Sequence, residues 1–190
     1  LGRSAADYES LVPKSTKLLI GPEFALLRPD FSQLRAESLK RRVQPEFKHV
    51  LISMGGVDIN NVTGQILDEL LKVELPRYTK ITVVMGANAP WLHVVRNKAS
   101  ELPCMADVLV NVQDMAQLMV RSDLAIGAAG GTAWERCCMG LPSCIFVLAD
   151  NQNAGAYALH KAQAAHLMRS VAEVVPFIRN LLQNDAKCGL

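Results

Sequence analysis

Short apolar segments alternate with amphipathic segments along most of this 190-residue chain, and this alternation is what most constrains its fold. The apolar runs predict strands at residues 49–53, 80–86, 107–112, 123–126 and 143–148, with a shorter sixth at 165–168. Helical spacing, as in Val62, Ile66, Leu67 and Leu70, predicts helices at residues 61–72, 91–102, 114–119, 132–139, 151–162 and 170–183. The sequence therefore predicts an α/β fold, a Rossmann-like doubly wound parallel sheet of about six strands.

The N-terminal stretch lacks this regularity. Pro13, Pro22 and Pro29 interrupt residues 1–30, where a short strand is predicted only at 17–20, and a helix follows at 31–42. We expect residues 1–45 to form a linker or arm with a connecting helix, and residues 46–190 to form the Rossmann-like domain. Lys40, Arg41 and Arg42 end the predicted helix, which favours a solvated helix end over a nucleic-acid patch.

Composition and short motifs exclude several classes of function. No apolar run approaches the roughly 20 residues that span a membrane, and no signal-peptide pattern is visible. Five cysteines without a C-x-x-C pair predict buried thiols in a reducing cytoplasm, not disulfides or a zinc site. No H-x-x-x-H or H-E-x-x-H pair occurs, so we expect no metal site. From the composition as a whole we also expect a cytoplasmic protein without a cofactor, nucleic-acid or membrane partner.

A glycine-rich loop between a predicted strand and a helix is the strongest chemical signal. Gly130, Gly131 and Thr132 lie in it, and backbone N–H groups at such a turn favour an anion such as a diphosphate. Glu135 has two interpretations. Thr132-x-x-Glu135 matches a capping box, and a carboxylate beside a phosphate loop can also accept hydrogen bonds from both ribose hydroxyls.

Two further loops follow predicted strands. The first contains Ser53, Gly55 and Gly56. Ser53 and Asn61 could bind a phosphate or simply cap the turn and the helix, and Asn60 and Asn61 are ordinary N-cap residues. The second contains Asn151, a possible N-cap, and Gln152, which could donate to sugar hydroxyls or phosphate. The carboxyl ends of parallel strands form the ligand-binding edge of such sheets, so these loops are expected to share one site.

These loops together resemble a known family, the UDP-2,4-diacetamido-2,4,6-trideoxy-β-L-altropyranose hydrolases of pseudaminic acid biosynthesis. The resemblance rests on residues 21–29, 53–61, 114–119, 122–130, 132–142 and 151–152, and the string W-E-R-C-C-x-G-L-P at 134–142 is its most specific part. It implies the C-terminal, UDP-binding half of a GT-B-like enzyme of two Rossmann-like domains, similar in fold to the lipid II N-acetylglucosaminyltransferase.

The resemblance also implies roles for individual residues. By position, Glu135 matches the ribose-binding glutamate, Val112 and Met115 the uracil segment, and Gln152 a sugar-side polar residue. The diphosphate loop is matched by Gly130, Gly131 and Thr132, and the first cleft loop by Ser53, Gly55 and Gly56. UDP or a UDP-sugar is the implied ligand.

The sequence departs from the family in one respect. The G-x-G-H-x-x-R string, whose histidine is the family's proposed base, does not occur, so the N-terminal catalytic domain is absent from this sequence and no catalytic residue is assigned. We expect the chain alone to bind UDP weakly without turnover.

Three other functions stay open at this stage. They are the donor-binding half of a GT-B glycosyltransferase, a non-catalytic nucleotide-binding module, and an NAD-dependent dehydrogenase. The last depends on Asp150, about 20 residues after the glycine loop, near the spacing of a ribose-binding acid in dinucleotide-binding folds.

Overall fold

Six parallel strands form a single sheet in the computed structural model, which describes residues 4–44 and 46–188. The sheet order is β3-β2-β1-β4-β5-β6. The bounds are β1 His49–Ser53, β2 Lys80–Met85, β3 Met105–Val110, β4 Leu124–Ala128, β5 Ser143–Phe146 and β6 His166–Met168. This is the order of a doubly wound Rossmann-type sheet, and the predicted fold class is confirmed.

Helices follow the strands and cover both faces of the sheet. Their bounds are α1 Pro29–Arg41, α2 Val62–Leu70, α3 Leu92–Ser100, α4 Met115–Arg121, α5 Thr132–Cys138, α6 Asn153–Lys161 and α7 Val174–Cys188. Short 3-10 helices occur at Ala5–Asp7, Pro22–Phe24, Asp150–Gln152 and Val171–Glu173. Each predicted helix is present, with ends displaced by a few residues.

Alternating side chains of the central strands build separate cores on the two faces. Val50 and Ile52 pack with α2, α3 and α7, whereas Leu51 packs with Phe31, Met119 and other residues of the opposite face. A third cluster forms around Ile145, between α5 and α6. Burial on both faces explains why the strands read as continuous apolar runs instead of an alternating pattern.

Two predictions for the strands were wrong. Residues 17–20 form no strand, because they line a cleft across from the glycine loop and do not join an edge of the sheet; an apolar run without a neighbouring strand has no hydrogen-bond ladder to join. The third strand begins two residues earlier than predicted and ends at Val110, which places Val112 in the following loop. The side chains of this edge strand are buried to varying degrees, so its sequence shows no sharp boundary.

The connecting helix α1 is tied to the sheet domain by side-chain hydrogen bonds. Ser38 Oγ donates to the carbonyl of Met139 at 2.7 Å, and Arg42 donates to the carbonyl of Met119 at 2.9 Å. Arg41 forms an ion pair with the buried carboxylate of Asp123 at 2.5 Å. The basic end of α1 is therefore bonded to the domain, and only part of it is solvated as predicted.

Candidate functional site

The order of the strands locates the point where a ligand is expected. β1 and β4 are neighbours at the centre of the sheet, and the chain leaves them toward opposite sides, β1 toward β2 and β4 toward β5. Such a switch point opens a crevice outside the carboxyl ends of the two strands. Ser53 of β1 is in register with Gly127 of β4, so the two glycine loops begin side by side at this crevice.

The first loop is held open by backbone conformation and by a neighbouring glycine. Gly55 has φ +95°, a conformation that favours glycine. The carbonyl of Gly56 accepts a hydrogen bond from the N–H of Gly86 at 3.1 Å. No atom lies within 4 Å of where a Cβ would stand on Gly55 or Gly56. The outer side of this loop therefore has room for a ligand.

Asp58 and Asn61 close this loop onto α2. Both oxygens of the Asp58 carboxylate accept hydrogen bonds, from the N–H groups of Val62 at 2.9 Å and Thr63 at 2.8 Å. Asn61 accepts from Gly64 N–H at 3.2 Å, which confirms its predicted role as an N-cap. The start of α2 is thus satisfied internally and is not an open anion site.

The second loop presents free backbone donors. The N–H groups of Gly130, Gly131 and Thr132 have no hydrogen-bond acceptor among the described residues. No atom lies within 4 Å of a Cβ placed on Gly131. In contrast, a Cβ on Gly127 would stand 2.6 Å from the guanidinium of Arg136 and 2.8 Å from the carbonyl oxygen of Ser53. The loop is therefore tightly packed beneath and open above.

Arg136 lies beneath the glycine loop, and sequence reasoning missed it as a functional residue. Its side chain is 2% exposed, and it donates to the carbonyl of Ala128 at 2.7 Å and to Thr132 Oγ1 at 3.2 Å. Burial lowers the pKa of Arg136 to about 10. The only sequence signal was its place in the W-E-R-C-C string, which gives no indication of burial.

Glu135 is not part of a capping box, so the helix-cap interpretation was wrong. Gly131 occupies the N-cap position of α5 and no side chain caps it, while Thr132 is already the first helical residue. Within the described chain the Glu135 carboxylate makes no hydrogen bond or ion pair. Desolvation raises its pKa, and the charges of Arg28 and Arg136 oppose this shift. A half-buried carboxylate without a partner is an acceptor that a ligand can use.

The uracil segment predicted by resemblance lies in the β3–α4 connection. Met115 is the first residue of α4, and it faces a narrow internal space together with Ser53, Thr132 and Arg136. Val112 is half-buried in the loop before it. Arg28 Nη1 donates to the carbonyl of Gln113 in this loop at 3.0 Å. Arg28 therefore links the N-terminal arm to the 112–115 loop.

Gln152 lies on the other side of the glycine loop. Its Oε1 accepts a hydrogen bond from the N–H of Leu148 at 2.9 Å, and its Nε2 lies 3.5 Å from a Cβ placed on Gly130. A cleft of about 1180 Å³ separates the arm, with Tyr8 and residues 17–21, from Gly130, Gly131, Trp134 and Gln152. The predicted cap at Asn151 was wrong, because α6 begins at Asn153 after a 3-10 turn.

Six of the ten predicted site residues line two separate spaces. Ser53, Met115 and Thr132 line the narrow internal space together with Arg136, whereas Gly130, Gly131 and Gln152 line the larger cleft. Gly55, Gly56, Val112 and Glu135 line neither space. They lie in the adjoining loops and first turn of α5 at the same edge of the sheet.

The described residues contain no group of three or more His, Cys, Asp and Glu side chains that could hold a metal ion. Cys137 and Cys138 are free thiols on different faces of α5, each packed against a different apolar cluster. No helix in the described ranges is long and apolar enough to cross a membrane.

Three curated proteins resemble the chain in sequence, although no protein-family model matches it. An uncharacterised protein of Methanocaldococcus jannaschii is 32% identical over 139 residues, which cover 72% of this chain and 28% of that protein. The spore coat polysaccharide biosynthesis protein SpsG of Bacillus subtilis is 27% identical over 165 residues, or 87% of this chain and 47% of the relative.

The third relative is the UDP-2,4-diacetamido-2,4,6-trideoxy-β-L-altropyranose hydrolase of Campylobacter jejuni. It is 29% identical over 131 residues, which cover 69% of this chain and 44% of that protein. The chain thus spans less than half the length of each of these curated relatives. The names of two of these three proteins refer to polysaccharide biosynthesis or to the hydrolysis of a UDP-sugar.

Solved structures share the fold at low sequence identity. MurG of Acinetobacter baumannii superposes with a TM-score of 0.63 at 19% identity, over 90% of this chain and 49% of that chain. The C-terminal CMP-Kdo binding domain of WaaA from the same organism superposes with a TM-score of 0.52 at 13% identity, over 84% of this chain and 93% of that domain. The fold is therefore the Rossmann-like domain found in GT-B glycosyltransferases.

Proposed function

We propose that this chain is the UDP-binding domain of a UDP-sugar hydrolase, an enzyme that releases UDP from a 2,4-diacetamido-2,4,6-trideoxyhexose during pseudaminic acid synthesis. One observation carries the proposal. Two glycine loops and the unpartnered carboxylate of Glu135 lie together at the switch point between β1 and β4. This combination of open backbone donors and a free acceptor suits a diphosphate joined to a ribose.

Each part of the nucleotide has a matching group. The free N–H groups of Gly130, Gly131 and Thr132 are donors for phosphate oxygens. The Glu135 carboxylate is an acceptor for the two ribose hydroxyls, and the loop of Val112 and Met115 borders the base. Gln152 Nε2 faces Gly130 from the opposite side, where the sugar would extend. Ser53, Gly55 and Gly56 form the wall contributed by β1.

The hydrolase is favoured over other enzymes by the resemblance of the loop sequences and by the Campylobacter jejuni relative. In this proposal, residues 1–45 connect the 46–190 domain to an N-terminal catalytic domain that lies outside this sequence. Activation of water by a base in that domain contributes roughly 10²–10⁴-fold to the rate. The chain alone is therefore expected to bind UDP weakly and to leave the sugar nucleotide intact.

A glycosyltransferase of the GT-B type is the second candidate, because the solved structures that share this fold include glycosyltransferases. In that case the same loops bind the donor nucleotide, and an acceptor binds to the other domain. A non-catalytic nucleotide-binding module would bind UDP tightly without any second domain. Asp150 lies in a 3-10 turn after β5, and the glycine loop follows β4 instead of the first strand, which disfavours a dehydrogenase.

Calorimetric titration tests the binding site directly. UDP, UMP, uridine and NADH are titrated into the 190-residue chain, into Glu135→Gln and into the control Glu101→Gln, whose side chain is exposed beyond α3. We expect selective binding of UDP, weakened at least about tenfold in Glu135→Gln and unchanged in the control. Binding of NADH in preference to UDP, or equal UDP affinity in Glu135→Gln, would refute the proposal.

A second experiment separates the two enzyme classes. The full-length protein, with its second domain, is incubated with the UDP-linked trideoxy sugar, and the products are followed by mass spectrometry. Release of the free sugar and UDP without any acceptor supports the hydrolase. Release of UDP only when a carbohydrate or lipid acceptor is added, with the sugar transferred to it, supports the glycosyltransferase.

A further inference from the structure

A buried guanidinium without a carboxylate partner lies directly beneath the proposed phosphate loop. Arg136 is 2% exposed and forms no ion pair within the described residues. Its Nε is buried without a hydrogen-bond partner. Isolated buried charges are costly and are normally paired in folded proteins. The charge of the neighbouring Glu135 acts on Arg136 without forming an ion pair, so the guanidinium can still stabilise an anion bound at the loop.

The guanidinium is oriented toward the loop by two hydrogen bonds. One joins Nη2 to the carbonyl oxygen of Ala128, the last residue of β4, and the other joins Nη1 to Thr132 Oγ1. Nη1 also lies 2.6 Å from the position that a Cβ on Gly127 would occupy. Arg136 therefore contacts the strand end, the glycine loop and the first residue of α5 at the same time.

The bond to Thr132 has a chemical consequence. A hydroxyl group carries one proton and two lone pairs, and Arg136 occupies a lone pair of Thr132 Oγ1. No described residue accepts the hydroxyl proton, which therefore stays available for another acceptor. Because a donor that itself accepts from a cation is polarised, this proton is a stronger donor to an anion.

We propose that Arg136 is a positioning residue for the phosphate groups of the ligand: it holds the glycine loop from beneath, and its charge stabilises the anion bound above. This proposal rests on the proposed function and adds a residue that neither the sequence resemblance nor the glycine loop assigned. Arg136 touches the loop and not the reacting atoms, so it acts through Gly127, Ala128 and Thr132.

The test compares ligands that differ only in phosphate content. UDP, UMP and uridine are titrated into the 190-residue chain, Arg136→Met, Arg136→Lys and Thr132→Val. Arg121→Met serves as the control, because Arg121 is exposed at the end of α4, at the opposite edge of the sheet, and its loss changes the net charge equally. Thermal unfolding of each variant reports the fold independently.

The expected result is a loss that grows with phosphate number. Arg136→Met lowers the UDP affinity at least about tenfold, lowers the UMP affinity less and leaves uridine within about twofold, while Arg136→Lys recovers part of the UDP affinity. Thr132→Val reproduces part of the UDP loss with the charge retained. If Arg136→Met does not fold at the assay temperature, Arg136→Lys carries the test, with a UDP loss of a few-fold and uridine unchanged.

Each contrary result has a distinct meaning. A wild-type chain that binds no nucleotide overturns both this proposal and the proposed function. The role of Arg136 alone is overturned if Arg136→Met binds UDP as tightly as the wild type. If Arg136→Met does not fold, the same result for Arg136→Lys overturns it. An equal loss for UDP and uridine shows a purely structural role and overturns it as well.

Discussion

Replacement of Gly127 by alanine is expected to destabilise the domain strongly, although it adds one methyl group. Gly127 has no unusual φ, so the cost is steric and not conformational. The new Cβ would stand 2.8 Å from the carbonyl oxygen of Ser53 and 2.6 Å from the guanidinium of Arg136. The first atom belongs to the backbone of the neighbouring central strand and has no freedom to move away.

The magnitude follows from the two contacts. Overpacking of a dense interior costs about 1–3 kcal/mol. Displacement of the guanidinium also weakens its hydrogen bonds to Ala128 and Thr132, and bonds to a charged group contribute about 1.5–3 kcal/mol each. The lower entropy of the unfolded alanine chain offsets about 0.4–1 kcal/mol. We therefore expect a net loss of about 3 kcal/mol, or a fall of roughly 6–12 °C in the unfolding midpoint.

Urea and thermal unfolding measure this effect, with Gly131→Ala as the matched control. Gly131 lies in the same loop with helical φ and ψ, and no atom lies within 4 Å of its Cβ position. The control is therefore expected to keep the stability of the wild type within about 1 kcal/mol. If Gly127→Ala were as stable as Gly131→Ala, the close packing of Arg136 and Ser53 against the loop would be refuted.

Three further predictions concern individual polar groups. Desolvation raises the pKa of Glu135, so its charged form destabilises the folded state, and Glu135→Gln should raise the unfolding midpoint at pH 7. This difference should vanish below about pH 4.5, and a gain that persists at low pH would contradict the reasoning. Asp58→Ala leaves the N–H groups of Val62 and Thr63 without acceptors, so the free energy of unfolding in urea should fall by about 2 kcal/mol, and Asp58→Asn should recover part of it. An unchanged unfolding midpoint would show that water replaces the cap. Burial lowers the pKa of His49, so as the pH falls below about 6.5 the unfolded chain binds the proton first and the free energy of unfolding should decrease. In a pH series of unfolding curves, His49→Gln should make this decrease smaller.

The repeating apolar pattern was sufficient to predict the fold class. Strands buried on both faces and amphipathic helices of regular spacing leave few arrangements other than a parallel sheet covered on both sides. The same pattern did not locate residues 17–20 correctly, because strand formation needs a neighbouring strand and an apolar run does not reveal whether one is available. The predicted range of the edge strand β3 lay two residues too late in the sequence for a related reason, because its partly exposed side chains show no sharp boundary.

Loops at the ends of strands could also be predicted to meet, because parallel strands bring their carboxyl ends to one edge of the sheet. The pairing of Ser53 with Gly127 and the central place of β1 and β4 follow that expectation. The interpretation of Glu135 could not be decided from spacing alone. Thr132 and Glu135 match a capping box by sequence, and the structure begins α5 one residue too early for Thr132 to act as the cap.

The alternation of strands and helices and the position of the glycine loops could thus be predicted from local residue patterns. Which polar groups have partners depends on how distant segments pack. Arg136 looks like an ordinary helix residue in the sequence, and it becomes a buried cation beneath the loop because α5 packs against β4. Glu135, its neighbour, stays without a partner. Burial and pairing depend on contacts between segments far apart in the chain, and local residue patterns do not contain them.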